Sequence, residues 1–340
     1  MLIIVLTAAM LIARAASAQE MSLRAVYNAV SGVMAPIWVG QEGGLFTKHG
    51  VNVDLKYLAA TTAVQGMVGG GEEVGLVGNQ GIDAKLEGAD LIYVASGLPT
   101  FVFQVYGRPE IKSMADLKGK VVAVTQPSAS TDYAMRIVLK RNGLEPDKDV
   151  KILYAQDIAA VFTSVSNGNA SAGIMSAPTS LKAKAAGLKP ILNITELRIP
   201  FLFTGMLSSP KIMREKNEPL TRFLRGYIEA MAVIRRDKET TMKSMGKFLK
   251  TNDREVLESV YDDYKDVFPQ VPLMTAAEVK AVLDVAKSPR AKQMKPEEFS
   301  TIRWSKKSRQ RDLSMPSTAS DSHSFRFRVP RSEFNPKLNN

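Results

Sequence analysis

Apolar positions along this chain fall into short runs of β-branched and aromatic residues, separated by stretches with helical spacing. The runs at residues 23–30, 51–57, 74–77, 91–95, 121–124, 150–153 and 172–175 are too short for helices and predict strands. Between them lie apolar stripes of helical period, carried by Ile37, Trp38 and Val39, by Val64, by Ala84 and Leu86, by Tyr133, Ile137 and Val138, by Ile158 to Val165, and by Leu181 and Ala185. Strand and helix in alternation at this spacing predict parallel βαβ units. From Ser209 onward the texture is helical only. Residues 220–234 carry Phe223, Leu224, Tyr227, Ile228 and Met231 on one face, helices follow at 240–249 and 253–268, and Thr275-x-x-Glu278 has the spacing of a capping box.

Residues 116–143 are the most informative stretch: a polar turn with Gly119, the strand 121–124, the hydroxyl-rich loop Thr125 to Thr131, and a helix stopped by Asn142-Gly143. The loop lies at the carboxyl end of a strand and the amino end of a helix. Free backbone N–H groups and the helix dipole make that place favourable for anionic or polar ligands in open α/β sheets. Ser128, Ser130 and Thr131 can equally be read as caps of the helix. Residues 71–77 and 168–174 share an echo of helix end, polar link and buried strand, which suggests two similar lobes. Two runs dense in aromatics, Phe101–Tyr106 and Pro200–Leu207, are expected to be the crossovers between them.

Composition narrows the function classes. The chain has 340 residues, 45% apolar and 23% charged, and no cysteine, so its fold rests on core burial without disulfides. Residues 1–13 are nearly all apolar and Ala16-Ser17-Ala18 fits a cleavage site, which predicts an exported protein with a signal peptide at 1–18 and no lipid anchor. No Lys or Arg precedes the apolar run, so the true start is expected to lie upstream or to have lost its charged region. The net charge of +11 is concentrated: nine basic and three acidic residues from Thr301 onward leave +6 in the tail and +5 for the remainder. Residues 300–340 lack periodicity and read as an irregular basic tail, either a disordered partner-binding segment or the product of a shifted reading frame. With only His49 and His323, far apart, neither a transition-metal site nor a histidine triad is expected. His49 reads as a surface turn residue. The pairs Glu72-Glu73 and Asp262-Asp263 read as solvated faces, Trp38 as a core residue, and Gly69-Gly70-Gly71 as a turn, not a phosphate loop.

Three segments carry a family resemblance: residues 35–55 (APIWVGQEGGLFTKHGVNVDL), residues 75–81 (GLVGNQG), and DLKGKVVAV from Asp116 with STDYAMRIVLKRNGLEPDKDV after it. With these the chain resembles, over roughly residues 23–299, the substrate-binding proteins of ABC importers for nitrate, sulfonate, taurine and thiamine-pyrimidine precursors. The resemblance implies an α/β, two-lobed type II periplasmic-binding-protein fold, two doubly wound sheets joined by two crossover strands. Lobe 1 would be discontinuous, 19–104 and 206–299, and lobe 2 would span 105–205. Two departures stand out: Glu73 and Ser171 sit where relatives carry Asp, and the usual end of the chain is replaced by the tail.

The resemblance further implies a ligand held between the lobes by Ser31, Val33 and Met34, by Gly78, Asn79 and Gln80, by Gln126, Ser128, Ser130 and Thr131, and by Ser176 and Thr179. These hydroxyls, amides and backbone groups suit a small oxyanion or a polar heterocycle. The expected protein is a monomeric periplasmic solute receptor, without cofactor and without nucleic acid, that serves an inner-membrane ABC permease and its ATPase. Two rivals remain: an enzyme like the fungal thiamine-pyrimidine synthases, which look to depend on a Cys-rich motif that this chain lacks and on an active-site histidine for which it offers only a turn residue, and an adhesive or nucleic-acid-binding protein acting through its tail.

Overall fold

The structure is a computed structural model that describes residues 21–301. The expected signal peptide and nearly all of the basic tail lie outside the described residues.

Strands β1 (Ser22–Tyr27), β2 (Asn52–Tyr57), β3 (Val74–Val77) and β4 (Ile92–Thr100) alternate with helices α1 (Ala35–Glu42), α2 (Leu45–Lys48), α3 (Ala60–Val68) and α4 (Gln80–Leu86). The chain then builds β5 (Gln104–Gly107), β6 (Val121–Val124), α5 (Ser130–Arg141), β7 (Lys151–Tyr154), α6 (Ile158–Ser166), β8 (Ala172–Met175), α7 (Thr179–Ala185) and β9 (Lys189–Asn193). It returns through β10 (Pro200–Ser208) and ends in α8 (Pro210–Glu215), α9 (Asn217–Arg236), α10 (Lys238–Leu249), α11 (Arg254–Tyr264) and α12 (Ala276–Leu283).

Two five-stranded sheets result, ordered β2-β1-β3-β10-β4 and β7-β6-β8-β5-β9. Each has a parallel core, β2-β1-β3 in one and β7-β6-β8 in the other, to which one antiparallel strand is added. That strand is in both cases the first one made after the chain changes sheet: β5 on entering the second, β10 on returning to the first. The central strands β3 and β8 are apolar on both faces, as covered strands are, and buried at every position, whereas the edge strand β2 alternates polar and apolar residues.

The aromatic runs do mark the two crossings, but with shifted limits. Phe101–Tyr106 is not one strand: β4 ends at Thr100, residues 101–103 cross, and β5 begins at Gln104. The return crossing lies before Pro200, and β10 pairs with β3 and β4 along its length, so residues 200–205 belong to the first sheet. Phe101 stacks on Phe201 at 4.3 Å and Phe103 meets Phe203 at 5.0 Å, which ties the two crossings together. Strand β9 escapes the sequence pattern because it contains Pro190. An edge strand tolerates proline, and β9 pairs only with β5 among the described strands.

The carboxyl-terminal helices cover the first sheet. On α9, Leu220, Phe223, Leu224, Tyr227 and Met231 are buried, and Phe223 stacks on Phe46 of α2 at 4.6 Å. Trp38 is fully buried, parallel to Phe248 of α10 at 5.1 Å and edge-on to Tyr27. It is a core residue, as its helical spacing suggested. Thr275 and Glu278 form the expected capping box of α12. Glu73 corrects the reading of a solvated carboxylate pair: it is 4% exposed and joins Arg24 at 3.1 Å and Lys216 at 2.8 Å. It thereby links β1, the approach to β3 and the end of α8.

Candidate functional site

Strands β3 and β6 each deliver a polar loop to the line where the two sheets face each other. After β3 the chain continues through Gly78 to Asn79, whose side chain is fully buried. Its Oδ1 accepts a hydrogen bond from Ser130 Oγ at 3.1 Å, and its Nδ2 donates to the Ser128 carbonyl and to Asp83 Oδ2, both at 3.4 Å. One amide thus joins the first sheet to the β6–α5 loop of the second. The loop is braced for this. Ser128 holds a left-handed φ of 61°, costly for a residue with a Cβ, and its N–H donates to Asp132 Oδ2 at 2.9 Å. Asp132 in turn is paired with Arg136 at 2.7 Å.

The cap reading of this loop needs correction. The N-cap of α5 is Ala129, which has no side-chain cap, while Thr131 Oγ1 bonds Thr125 through its N–H at 3.1 Å and its hydroxyl at 2.7 Å. Thr131 therefore shapes the loop from behind, and the N–H groups of the first turn receive no side-chain acceptor from the cap residue.

A second junction lies at Ser31, in extended conformation before the 3-10 turn Gly32–Met34. Ser31 Oγ is 3.2 Å from the hydroxyl of Tyr264, the last residue of α11, and Ser176 after β8 bonds the same hydroxyl. Tyr264 is pushed up to about 12 by burial, so it is a neutral bridge between hydroxyls of the two sheets at any ordinary pH. Gly32 is required here, since a Cβ would stand 2.4 Å from the Tyr264 ring. Val33 and Met34 turn their side chains into the apolar core, which leaves only their backbone to a ligand.

Two cavities flank these junctions. The larger, about 770 Å³, is lined by α3, α4 and the β6–α5 loop, including Gln80, Asp83, Gln126 and Ser128. Gln80 Oε1 is buried there without a hydrogen-bond partner among the described residues. Burial, and next the Glu87 charge, push Asp83 up to about 6. The smaller, about 210 Å³, lies against the crossing residues Val102 and Phe103 and is lined further by Ser176, Ser180, Asn193, Arg198, Asp263 and others. Asp262 is exposed and paired with Lys265 at 2.7 Å, as a solvated face should be. Asp263 is not: it is half-buried, and burial followed by the Asp262 charge pushes it up to about 6.

Of the residues expected around a ligand, Ser31 and Ser176 therefore meet at one junction. Asn79, Ser128 and Ser130 meet at the other, with Gln80 and Gln126 on the adjoining cavity. The Gly78 carbonyl receives the Tyr93 hydroxyl, and Thr179 opens α7 without lining either cavity. His49 ends α2, with Nε2 2.8 Å from Glu229 Oε2, far in the chain from either junction. Sequence reasoning missed Tyr264, Asp83 and Asp263. Tyr264 and Asp83 carry no motif, and Asp263 was noticed only as half of an acidic pair read as a solvated face.

Two sheets, each with a parallel core and one antiparallel strand, facing each other across loops at their strand ends, define the fold of the type II periplasmic binding proteins. The family model described as NMT1/THI5 like matches residues 31–240, and the chain belongs to that family. A binding protein of Brucella abortus (strain 2308) is 26% identical over 230 residues, which are 65% of this chain and 71% of its own. Among solved structures, the alkanesulfonate-binding protein SsuA from Xanthomonas axonopodis pv. citri, bound to MOPS, aligns with a TM-score of 0.66 at 19% identity, covering 83% of this chain and 97% of that one. The periplasmic aliphatic sulphonate binding protein SsuA from Escherichia coli aligns with a TM-score of 0.67, also at 19% identity, over 82% and 98% of the two chains. At these identities the structural likeness is one of fold.

Proposed function

We propose that this protein is an exported solute receptor of an ABC importer, which binds one small polar solute between its two sheets and delivers it to a membrane permease. The observation that carries this reading is the pair of cross-sheet junctions, Asn79 with Ser130 and Ser31 with Tyr264 and Ser176. Hydroxyls and an amide from both sheets converge where backbone N–H groups at the start of α5 are also within reach. Such groups recognise a solute by hydrogen bonds. Tyr264 stays neutral, and among the described residues no group of His, Asp and Glu could hold a metal ion. The two crossings, packed through Phe101 and Phe201, supply the hinge about which the sheets would open and close.

The relatives that share the fold and family are named as binding proteins, in two cases for sulfonates. A thermal-shift screen of sulfonates, nitrate, amino acids, pyrimidines and small aromatic acids tests the proposal, because binding to the folded state alone raises the melting temperature. A receptor gives a saturable shift with one solute class and leaves it chemically unchanged. Conversion of the bound solute would instead make the protein an enzyme.

A further inference from the structure

The 210 Å³ recess beside the crossings is lined by three carboxylates, Asp262, Asp263 and Asp266, and by one cation, Arg198. Asp263 has no hydrogen bond or ion pair among the described residues, although it is only partly open to solvent. Its neighbour Asp262 already has Lys265, and Arg198 on the same recess makes no ion pair with any described carboxylate. A half-buried carboxylate without a counter-ion is unfavourable, and no described cation, Arg198 on the same recess included, pairs with it. Ser180 supplies an independent sign. It is 5% exposed, lines the recess, and its hydroxyl has no partner among the described residues.

We infer that the solute carries a protonated nitrogen, received in this recess by Asp263 with the Ser180 hydroxyl beside it. This rests on the receptor reading and narrows its ligand class, from any small oxyanion or polar heterocycle to solutes that also carry an amine. The volume agrees with a small molecule, since a cavity of about 150 Å³ holds a benzene ring. Lining residues come from β8–α7, from the crossings and from the end of α11, so an ammonium group here would draw both sheets together. At neutral pH Asp263, pushed up to about 6, is still mostly ionised and able to pair with it. Arg198, exposed at the rim, can receive an anionic group on the same molecule.

Isothermal titration of the full chain with matched pairs tests the inference: taurine against ethanesulfonate, and benzylamine against benzyl alcohol. The amine is expected to bind at least about tenfold more tightly in each pair that binds. Asp263→Asn, nearly isosteric, should abolish that preference, and Ser180→Ala should reduce it; melting curves of both variants confirm folding. Ethanesulfonate binding as well as taurine, or a preference that survives Asp263→Asn, overturns the inference and leaves the receptor reading intact. If these four and the wider solute screen all fail to bind, the receptor reading itself falls, and the inference with it.

Discussion

Asn79 and Ser130 stand 51 positions apart in sequence and on different sheets, yet the Ser130 hydroxyl donates to Asn79 Oδ1 at 3.1 Å. With the bond from Asn79 Nδ2 to the Ser128 carbonyl, this makes a fully buried amide the latch between the β3 and β6 loops. Asn79→Ala removes both bonds and leaves their partners unsatisfied. Ser128 and Ser130 are only partly buried, so each of these two bonds is worth about 0.5–1.5 kcal/mol net, and affinity for the cognate solute should fall roughly 5- to 150-fold by titration calorimetry. An unchanged affinity would place the binding crevice elsewhere.

The neighbouring hydroxyls should separate into two roles. Ser130 faces the other sheet, whereas Thr131 is 4% exposed and bonds Thr125 within its own loop. Ser130→Ala leaves the buried Asn79 Oδ1 without its hydroxyl donor, so it is expected to weaken binding and also to cost about 1 kcal/mol of stability. Thr131→Val should lower stability by about 1–3 kcal/mol, through the orphaned Thr125 N–H, before it touches affinity. Equal effects of the two variants on both readouts would contradict this division.

Glu73 carries a structural prediction. It is 4% exposed, accepts the Arg24 N–H at 3.0 Å and pairs with Arg24 and Lys216. Glu73→Ala strands one buried donor and two cations, though both cations are partly solvated and can recover some hydration. A loss of about 2–4 kcal/mol in urea denaturation is expected, with solute affinity unaffected. A loss below about 1 kcal/mol would mean that solvent replaces the carboxylate.

Much of the fold was legible because strand cores are local patterns. The runs at 74–77, 121–124 and 172–175 coincide with β3, β6 and β8, since β-branched residues apolar on both faces have few other uses. What was hidden depends on partners distant in sequence. Lys189–Asn193 became a strand only because β5 offered an edge that tolerates Pro190. Glu73 looked solvated until the chain returned with Lys216, 143 positions later. The serines and amides of the loops were named through the family resemblance, which sets the ligand against strand-end loops. Tyr264 went unnamed and Asp263 was read as solvated, because their helix docks on that line from a part of the chain with no strand to announce it.

The two half-buried aspartates give the protein a pH signature on the neutral side. Asp83 and Asp263 are both raised to about 6, each first by burial and then by a neighbouring carboxylate. The unfolded chain releases these protons near the ordinary value of 3.8, so between about pH 4 and 6 the folded state holds more protons than the unfolded state. Stability from these groups is thus fully present below about pH 4 and is lost as the pH rises through 6. Asp83→Asn and Asp263→Asn should each stabilise at pH 7.5, by about 1–2 kcal/mol after allowance for solvent screening, or roughly 2–4 °C in melting temperature. The gain should shrink towards zero at pH 4.5. Groups such as Asp237, lowered by its bonds to Thr240, act oppositely and only at more acidic pH, so they do not mask the window. For Asp263 the two readouts must diverge: the Asn variant should melt higher at pH 7.5 and bind an amine-bearing solute more weakly. A variant that melts higher and binds unchanged would make the carboxylate a mere defect of packing.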